Sequence, residues 1–234
     1  METKLKSKIS NVFSRVVVLT LVLFTAACTG WDEYRDYTES GEIVYPGKVQ
    51  SLEIFSGHNR VRLIGTLGPD TRVTEMRIFW NDFKDSLVVA VTDEIKSSGF
   101  DEIVSVDEGL QTYTLHTYDE NGNKSLPAQE IGVAYGDRYQ LLVSNKEVES
   151  SFNTDSSTLI IWKPIDTSTG AQYVSIDYEV EDVAMNQQAP ASEDTTELKG
   201  LIVTDSIFFH TVYLPREGCI DLFYSDTTKY DVVR

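Results

Sequence analysis

Five side chains of this 234-residue sequence have the chemistry of a nucleophile, a general base or a soft metal ligand. They are His58, His116, His210, Cys28 and Cys219. The histidines stand far apart, without the short spacing of a zinc site, and the sequence contains no nucleophile elbow and no glycine-rich phosphate loop. We therefore predict no catalytic residue, no metal site and no cofactor, and we expect the histidines in strands to be satisfied or exposed.

Two parts of the sequence, Cys219 and the segment Asp119–Asn123, each fit both a structural and a functional role. Cys219 lies where a turn enters an apolar run, which fits either a small buried thiol or a nucleophile, and we favour the buried thiol. The segment Asp119–Asn123 has the acidic and amide residues of a calcium loop. It lacks the later bidentate glutamate and has its glycine at the wrong step, so we favour a plain hairpin. With 37 acidic residues some carboxylates must lie close together, so their abundance does not indicate a glycosidase.

The first 27 residues have the three parts of a secretion signal: basic residues, an apolar core and small residues. The apolar core is roughly a dozen residues, whereas a helix needs about 20 to cross a bilayer, so we expect residues 1–27 to be removed as a signal peptide. The motif Thr25-Ala26-Ala27-Cys28 resembles the lipobox of bacterial lipoproteins. The resemblance implies lipidation of Cys28; the alternative is a plain secretory signal followed by an ordinary cysteine.

Residues 28–41 are polar and acidic, which predicts a tether. Several acyl chains on one cysteine make a lasting anchor, so the expected location is the outer membrane, with the lipid anchor as the contact. The pair Asp32-Glu33 resembles the export tag of surface-displayed lipoproteins in the Bacteroidetes. That implies exposure at the cell surface, although a solvated linker fits the same residues.

The charge excludes one class of partner. The whole chain has a formal charge of −17, and removal of residues 1–27 takes away four of 20 basic and one of 37 acidic residues, leaving −20. Affinity for phosphates depends on a basic surface, so we predict no nucleic acid binding. Cationic or neutral partners, or glycans bridged by divalent cations, fit better.

Alternation of apolar and polar residues predicts an all-β chain. It is clear at Arg60–Gly65, Thr74–Trp80 and Tyr173–Val180, and Asn121-Gly122 is typical of a tight hairpin. The polar stretch Asn186–Asp194 is expected to be a mobile loop.

The mature length predicts two domains, since a small β-sandwich takes about 100 residues. We expect two tandem antiparallel sandwiches of the fibronectin type III or immunoglobulin type, at residues 42–136 and 137–234, with the joint at Val133–Tyr139. A single remaining cysteine cannot form an internal disulfide, so stability must come from packing.

The run Gly109–Ser125 looks like the final two strands of a fibronectin type III domain. That likeness implies a tyrosine corner, in which the Tyr113 hydroxyl bonds to the backbone near Leu110. More narrowly, the chain resembles the Bacteroidetes lipoprotein family DUF4998. The motifs that carry this resemblance are Glu42–Val49, Arg77–Asn81, Asp119–Ser125 and Ala134–Tyr139. The family has no assigned activity, but its members often sit near polysaccharide-uptake genes, which implies a glycan-related role.

Exposed aromatic rings are the remaining indication of a ligand-binding site, because sugar rings stack on them. We predict Phe83, Tyr135 and Trp31 as ligand contacts, with Phe83 the most exposed member. Trp80 and Trp162 are expected to be core anchors instead.

Three functions of different class follow. The first, which we favour, is a non-catalytic cell-surface lipoprotein that binds or scaffolds in glycan capture or uptake, with polysaccharide or other surface proteins as partners. The second is a structural or adhesive subunit, which requires an open edge strand. The third is a hydrolase, which requires a pocket with converging titratable groups.

Overall fold

A computed structural model describes residues 45–200 and 206–232. Within these ranges the chain forms fifteen β-strands, two short α-helices and one 3₁₀ turn. The predicted signal peptide, Cys28, the tether and Trp31 lie outside them. In the described part no helix has the length and apolar character needed to cross a membrane.

The first half consists of seven strands in two antiparallel sheets. The strands are β1 (Val49–Ser56), β2 (Arg60–Leu67), β3 (Val73–Trp80), β4 (Asp85–Ala90), β5 (Phe100–Ser105), β6 (Gly109–Asp119) and β7 (Ala128–Ala134). A three-stranded sheet has the order β1-β2-β5, and a four-stranded sheet has the order β4-β3-β6-β7. Helix α1 (Asp93–Ser98) joins β4 to β5, and the Thr92 hydroxyl caps its first turn.

The second half repeats this layout. Its strands are β8 (Val148–Asn153), β9 (Ser157–Trp162), β10 (Ala171–Val180), β11 (Val183–Pro190), β12 (Thr195–Lys199), β13 (Ser206–Tyr213), β14 (Phe223–Tyr224) and β15 (Thr228–Asp231). One sheet has the order β12-β9-β8, and the other has the order β11-β10-β13-β14, with β15 also paired to β13. Helix α2 (Asp137–Gln140) precedes β8, and the 3₁₀ turn Thr167–Thr169 precedes β10.

Each half encloses its own apolar core between its two sheets. In the first half Leu63 of one sheet packs in a cluster with Ile78 and Leu115 of the other. In the second half Ile160 and Leu198 share a cluster with Ile176. Because each strand contributes alternate side chains to these cores, the period-2 pattern of the sequence is explained. The predicted fold class, two tandem antiparallel β-sandwiches, is confirmed.

One predicted loop is a strand. Val183–Pro190 pairs with β10 along its whole length, whereas the polar composition of Asn186–Asp194 predicted a mobile loop. The reason is that β11 lies at the edge of its sheet. In β11 only Ala189 is fully buried, so the strand forms without an apolar stripe.

The expected tyrosine corner is also wrong. Tyr113 is completely buried in the first core, but its hydroxyl has no hydrogen-bond partner. Burial raises the pKa of Tyr113 to about 12. Leu110, whose backbone was the expected acceptor, lies three positions earlier on the same strand with its side chain exposed.

The segment that resembles a calcium loop is a hairpin turn. The Asp119 carboxylate accepts hydrogen bonds from the backbone N–H groups of Asn121 and Asn123 and from the Asn123 side chain. Gly122 has a φ of 78°, as the turn requires, while Asn121 is not among the residues with positive φ. The Asp119 carboxylate therefore stabilises the turn, and the hydrogen bonds that it accepts lower the pKa of this group.

Candidate functional site

Phe83 lies in the turn between β3 and β4, as the sequence indicated. Three consecutive residues of this turn, Asn81, Asp82 and Phe83, have φ values of 50°, 53° and 63°. Left-handed backbone is unfavourable for side chains other than glycine, and it is often retained at ligand-binding positions. The Phe83 side chain is 59% exposed, and its ring centroid lies 5.4 Å from that of Phe79.

A groove of about 460 Å³ opens beside this turn. It is lined by Phe79, Trp80, Asn81, Asp82, Phe83, Leu110, Gln111, Thr112, Thr114 and Gln129. The lining comes from three neighbouring strands, because the C-terminal end of β3 meets the start of β6, which in turn pairs with β7. The groove therefore combines aromatic rings with amide and hydroxyl groups.

The amides of the groove are held in fixed positions. The Gln129 side chain donates to the Thr114 hydroxyl at 3.0 Å, and the Asn81 side chain donates to Asp85 at 2.8 Å. Gln111 donates to the Asp107 carbonyl at 3.2 Å, which leaves its side-chain oxygen buried without a partner. Such amides can donate to and accept from hydroxyl groups of a ligand.

Large apolar side chains surround the groove on the outer face of the four-stranded sheet. Leu110 is 71% exposed and Ile131 is 59% exposed. The register pairs Leu110 with Val133, and it pairs Ile131 with Thr112 of the groove. Val88 of β4 is exposed on the same face but lies opposite Arg77, away from the groove. Exposed apolar residues beside a groove, such as Leu110 and Ile131, mark interaction sites.

Tyr135 lies elsewhere, in the joint between the two sandwiches. It is half-buried, and its ring centroid is 5.0 Å from that of Tyr139 and 6.2 Å from that of Phe223. The His58 ring also packs on Phe223, at 5.0 Å. Burial raises the pKa of Tyr135, and it raises that of Tyr139 to about 12. The structure therefore does not bring Tyr135 into the groove with Phe83.

An ion pair completes the joint. Arg60 of β2 donates two hydrogen bonds to Asp221, from Nε at 2.9 Å and from a terminal nitrogen at 2.5 Å. The backbone N–H of His58 donates to the same carboxylate at 2.8 Å. The N–H of Ile220 donates to the carbonyl of Ser56 at 2.7 Å. These contacts tie the segment before β14 to the first sandwich.

A second groove, of about 640 Å³, lies beside the joint. Its lining includes an exposed ion pair, in which the Lys163 ammonium donates to the Glu147 carboxylate at 2.6 Å. Tyr139, Asn145, Lys146 and Tyr213 are among its lining residues. The Lys146 ammonium is buried and donates to the carbonyls of Ala191 and Glu193 at 2.7 and 2.5 Å. Burial lowers its pKa. The lysine is used in holding two backbone segments together.

Cys219 and His58 both lie at the aromatic joint, whereas His116 and His210 lie in strands of the first and second sandwich. Cys219 is half-buried against the aromatic joint, and burial raises the pKa of its thiol, which lowers its reactivity. His116 is buried with Nδ1 at 3.0 Å from the Ser125 carbonyl, and the His210 ring packs against Tyr224. Among the described residues no group of three or more histidine, cysteine, aspartate or glutamate side chains is placed to hold a metal.

The two tryptophans differ in placement. Trp162 is 1% exposed, and its indole N–H donates to the Thr196 hydroxyl at 2.8 Å, so it anchors the second core. Trp80 is half-buried at the edge of the first core and also lines the groove. Leu110, Gln111 and Ile131 were missed as site residues because they are distant from Phe83 in the sequence. The pairing of β3 with β6 brings Leu110 and Gln111 to the groove, and the pairing of β6 with β7 places Ile131 beside it.

A family model described as DUF4998, a domain of unknown function, matches residues 28–223. The chain belongs to this family. No curated protein matches the DUF4998 chain. It is similar to a segment of two fibronectin type III domains from chicken tenascin, with 14% identity, a TM-score of 0.33, and coverage of 79% of this chain and 98% of that one. It is also similar to the FN1–FN3 domains of chicken CNTN1, with 13% identity, a TM-score of 0.43 and coverage of 81% of this chain and 66% of that one.

Proposed function

We propose that this DUF4998 protein is a non-catalytic, lipid-anchored binding module of the outer membrane that captures glycan. The observation that supports it is the exposed Phe83 ring beside a groove lined by amide and hydroxyl groups. An aromatic face can stack on a sugar ring, while the neighbouring amides satisfy its hydroxyls. A ligand that carries both kinds of surface fits this groove better than a purely apolar one.

The negative charge of the protein indicates which charge a bound glycan can carry. Asp82 lines the groove and Asp85 accepts a hydrogen bond from Asn81 of its lining, in a chain whose formal charge is −17. Acidic polysaccharides are repelled unless divalent cations screen them. Neutral or amino sugars are therefore the proposed ligands.

Retention on neutral polysaccharides tests this function, with the mature chain run through gels that contain each polysaccharide. We expect retardation by at least one of them, and a loss of about tenfold in affinity for Phe83→Ala, the size of effect seen when a central contact residue is truncated. Phe208→Ala is the matched control, because Phe208 is 45% exposed on β13, away from the groove. Equal mobility of the two variants, or no retardation of the wild-type chain, contradicts the proposal.

Surface exposure is a separate part of the proposal, supported by the lipobox-like Thr25–Cys28 and by the acidic Asp32-Glu33. Proteinase added to intact cells should digest the protein, and Cys28→Ala should remove it from the membrane fraction. Full protection in intact cells would place it on the periplasmic side instead.

A further inference from the structure

Strand β11 is an edge strand with an unusual composition for its position. Its residues, Val183–Pro190, form an unbroken antiparallel ladder with β10, and none of them is charged. Proteins normally protect edge strands with charged residues, bulges, prolines or short length. In β11 the one such feature is Pro190, at the very end.

The other edge strands in the described ranges are protected. Strands β1 and β8 each have a glutamate and an irregular register. Strands β4, β5, β7, β12 and β15 each carry at least one charged side chain, and β14 has two residues. The absence of protection is therefore specific to β11.

The hairpin geometry defines which backbone groups of β11 are free to pair. The turn between β10 and β11 has two residues, Glu181 and Asp182, both with positive φ, so Val180 and Val183 form a hydrogen-bonded pair. Consistently, the N–H of Ala191 donates to the Gln172 carbonyl in the same register. Odd-numbered residues of β11 therefore bond to β10, and the N–H and C=O groups of Ala184, Asn186 and Gln188 point away from it.

We propose that β11 pairs antiparallel with β11 of a second copy of this chain, about a two-fold axis at Asn186. In that register Ala184 lies opposite Gln188 of the second copy, and every outward N–H of one copy meets a C=O of the other. The pairing joins two five-stranded sheets into one continuous sheet. This inference does not depend on glycan binding.

Charge supports a second copy as the occupant. Two chains with a formal charge of −17 repel each other over most of their surface. The side chains of β11 that would meet are all uncharged, so this edge brings two copies together without placing charges opposite each other. Acidic residues flank it at Glu181, Asp182, Glu193 and Asp194. Repulsion between these flanks predicts that salt strengthens the dimer.

Sedimentation velocity of the mature chain tests the pairing. We expect a concentration-dependent dimer that is tighter at about 0.5 M than at about 0.05 M salt. Asn186→Lys should raise the dissociation constant at least about tenfold, because it places two ammonium groups at the axis. Ser150→Lys, on the protected edge strand β8, is the matched control and should leave the dimer unchanged.

Oxidative cross-linking gives an independent readout. In a chain that carries Cys28→Ala, Asn186→Cys should form a disulfide-linked dimer, whereas Ser150→Cys in the same background, with native Cys219 present, should not. A strictly monomeric chain overturns the proposal, as does a dimer that persists in Asn186→Lys. Folding of each variant is checked by its unfolding curve, so that loss of the dimer is not confused with loss of the sandwich.

Discussion

Trp162→Ala should lower the free energy of unfolding of the second sandwich by about 3 to 5 kcal/mol, the usual cost of removing a large buried aromatic side chain. The indole is 1% exposed, and its ring centroid lies 5.2 Å from that of Phe209 in an edge-on contact. Its removal leaves a cavity between β9 and β13, which belong to opposite sheets, so the sheets cannot close the cavity without moving their strands. Urea unfolding followed by tyrosine fluorescence measures the loss.

Two comparison variants separate packing from hydrogen bonding. Thr196→Val removes the acceptor of the indole N–H while keeping the shape of the side chain, and it should cost about 1 to 3 kcal/mol. Trp80→Ala should cost less than Trp162→Ala, because Trp80 is half-buried at the rim of its core. If Trp80→Ala proves the more damaging, the assignment of Trp162 as the main anchor is wrong.

The sequence predicts a strand wherever one face of that strand is buried and the other faces solvent. Met76 and Ile78 are fully buried while their neighbours are only half-buried, and the apolar pattern of the sequence follows this alternation. At β11 this signal is missing, since an edge strand can be stabilised by its backbone ladder while most of its side chains remain in water. Helix α1 has six residues, too few for a helical period to show in the sequence.

The site could be predicted only in part. The exposure of Phe83 follows from its place in a turn, which is local information. The position of Leu110 depends on the register of β3 with β6, and that of Ile131 depends on the register of β6 with β7. A shift of either pairing by one residue would turn the side chain concerned to the other face. Tyr135 was predicted as a ligand contact from its place near a linker. The structure packs it against Phe223, a partner far away in the sequence.

Asp221→Ala should uncouple the two sandwiches. The carboxylate accepts two hydrogen bonds from Arg60 and one from the backbone of His58, and its side chain is 18% exposed. Its removal leaves these donors unpaired in a partly buried joint, which should cost about 2 kcal/mol. In calorimetry we expect the melting temperatures of the two sandwiches to differ more in this variant than in the wild-type chain.

Asp101→Ala is the matched control. Asp101 also accepts a paired contact from an arginine, Arg62, at 2.7 and 2.5 Å, but both partners belong to the first sandwich and are about half exposed. A surface ion pair of this kind contributes about 1 kcal/mol or less. Asp101→Ala should therefore change the free energy of unfolding little. It should also leave the difference between the melting temperatures of the two sandwiches unchanged.

The pH dependence of the joint follows from the same contacts. Hydrogen bonding to Arg60 lowers the pKa of Asp221 below its ordinary value of 3.8. A carboxylate with a lowered pKa stabilises the folded state fully above its unfolded-state pKa, and this contribution is lost as the pH falls through the folded-state value. The coupling of the sandwiches should thus be constant near neutral pH and weaken below about pH 4. Asp221→Ala should remove that acid-dependent step, whereas a step of the same size in the variant would show that other carboxylates control the joint.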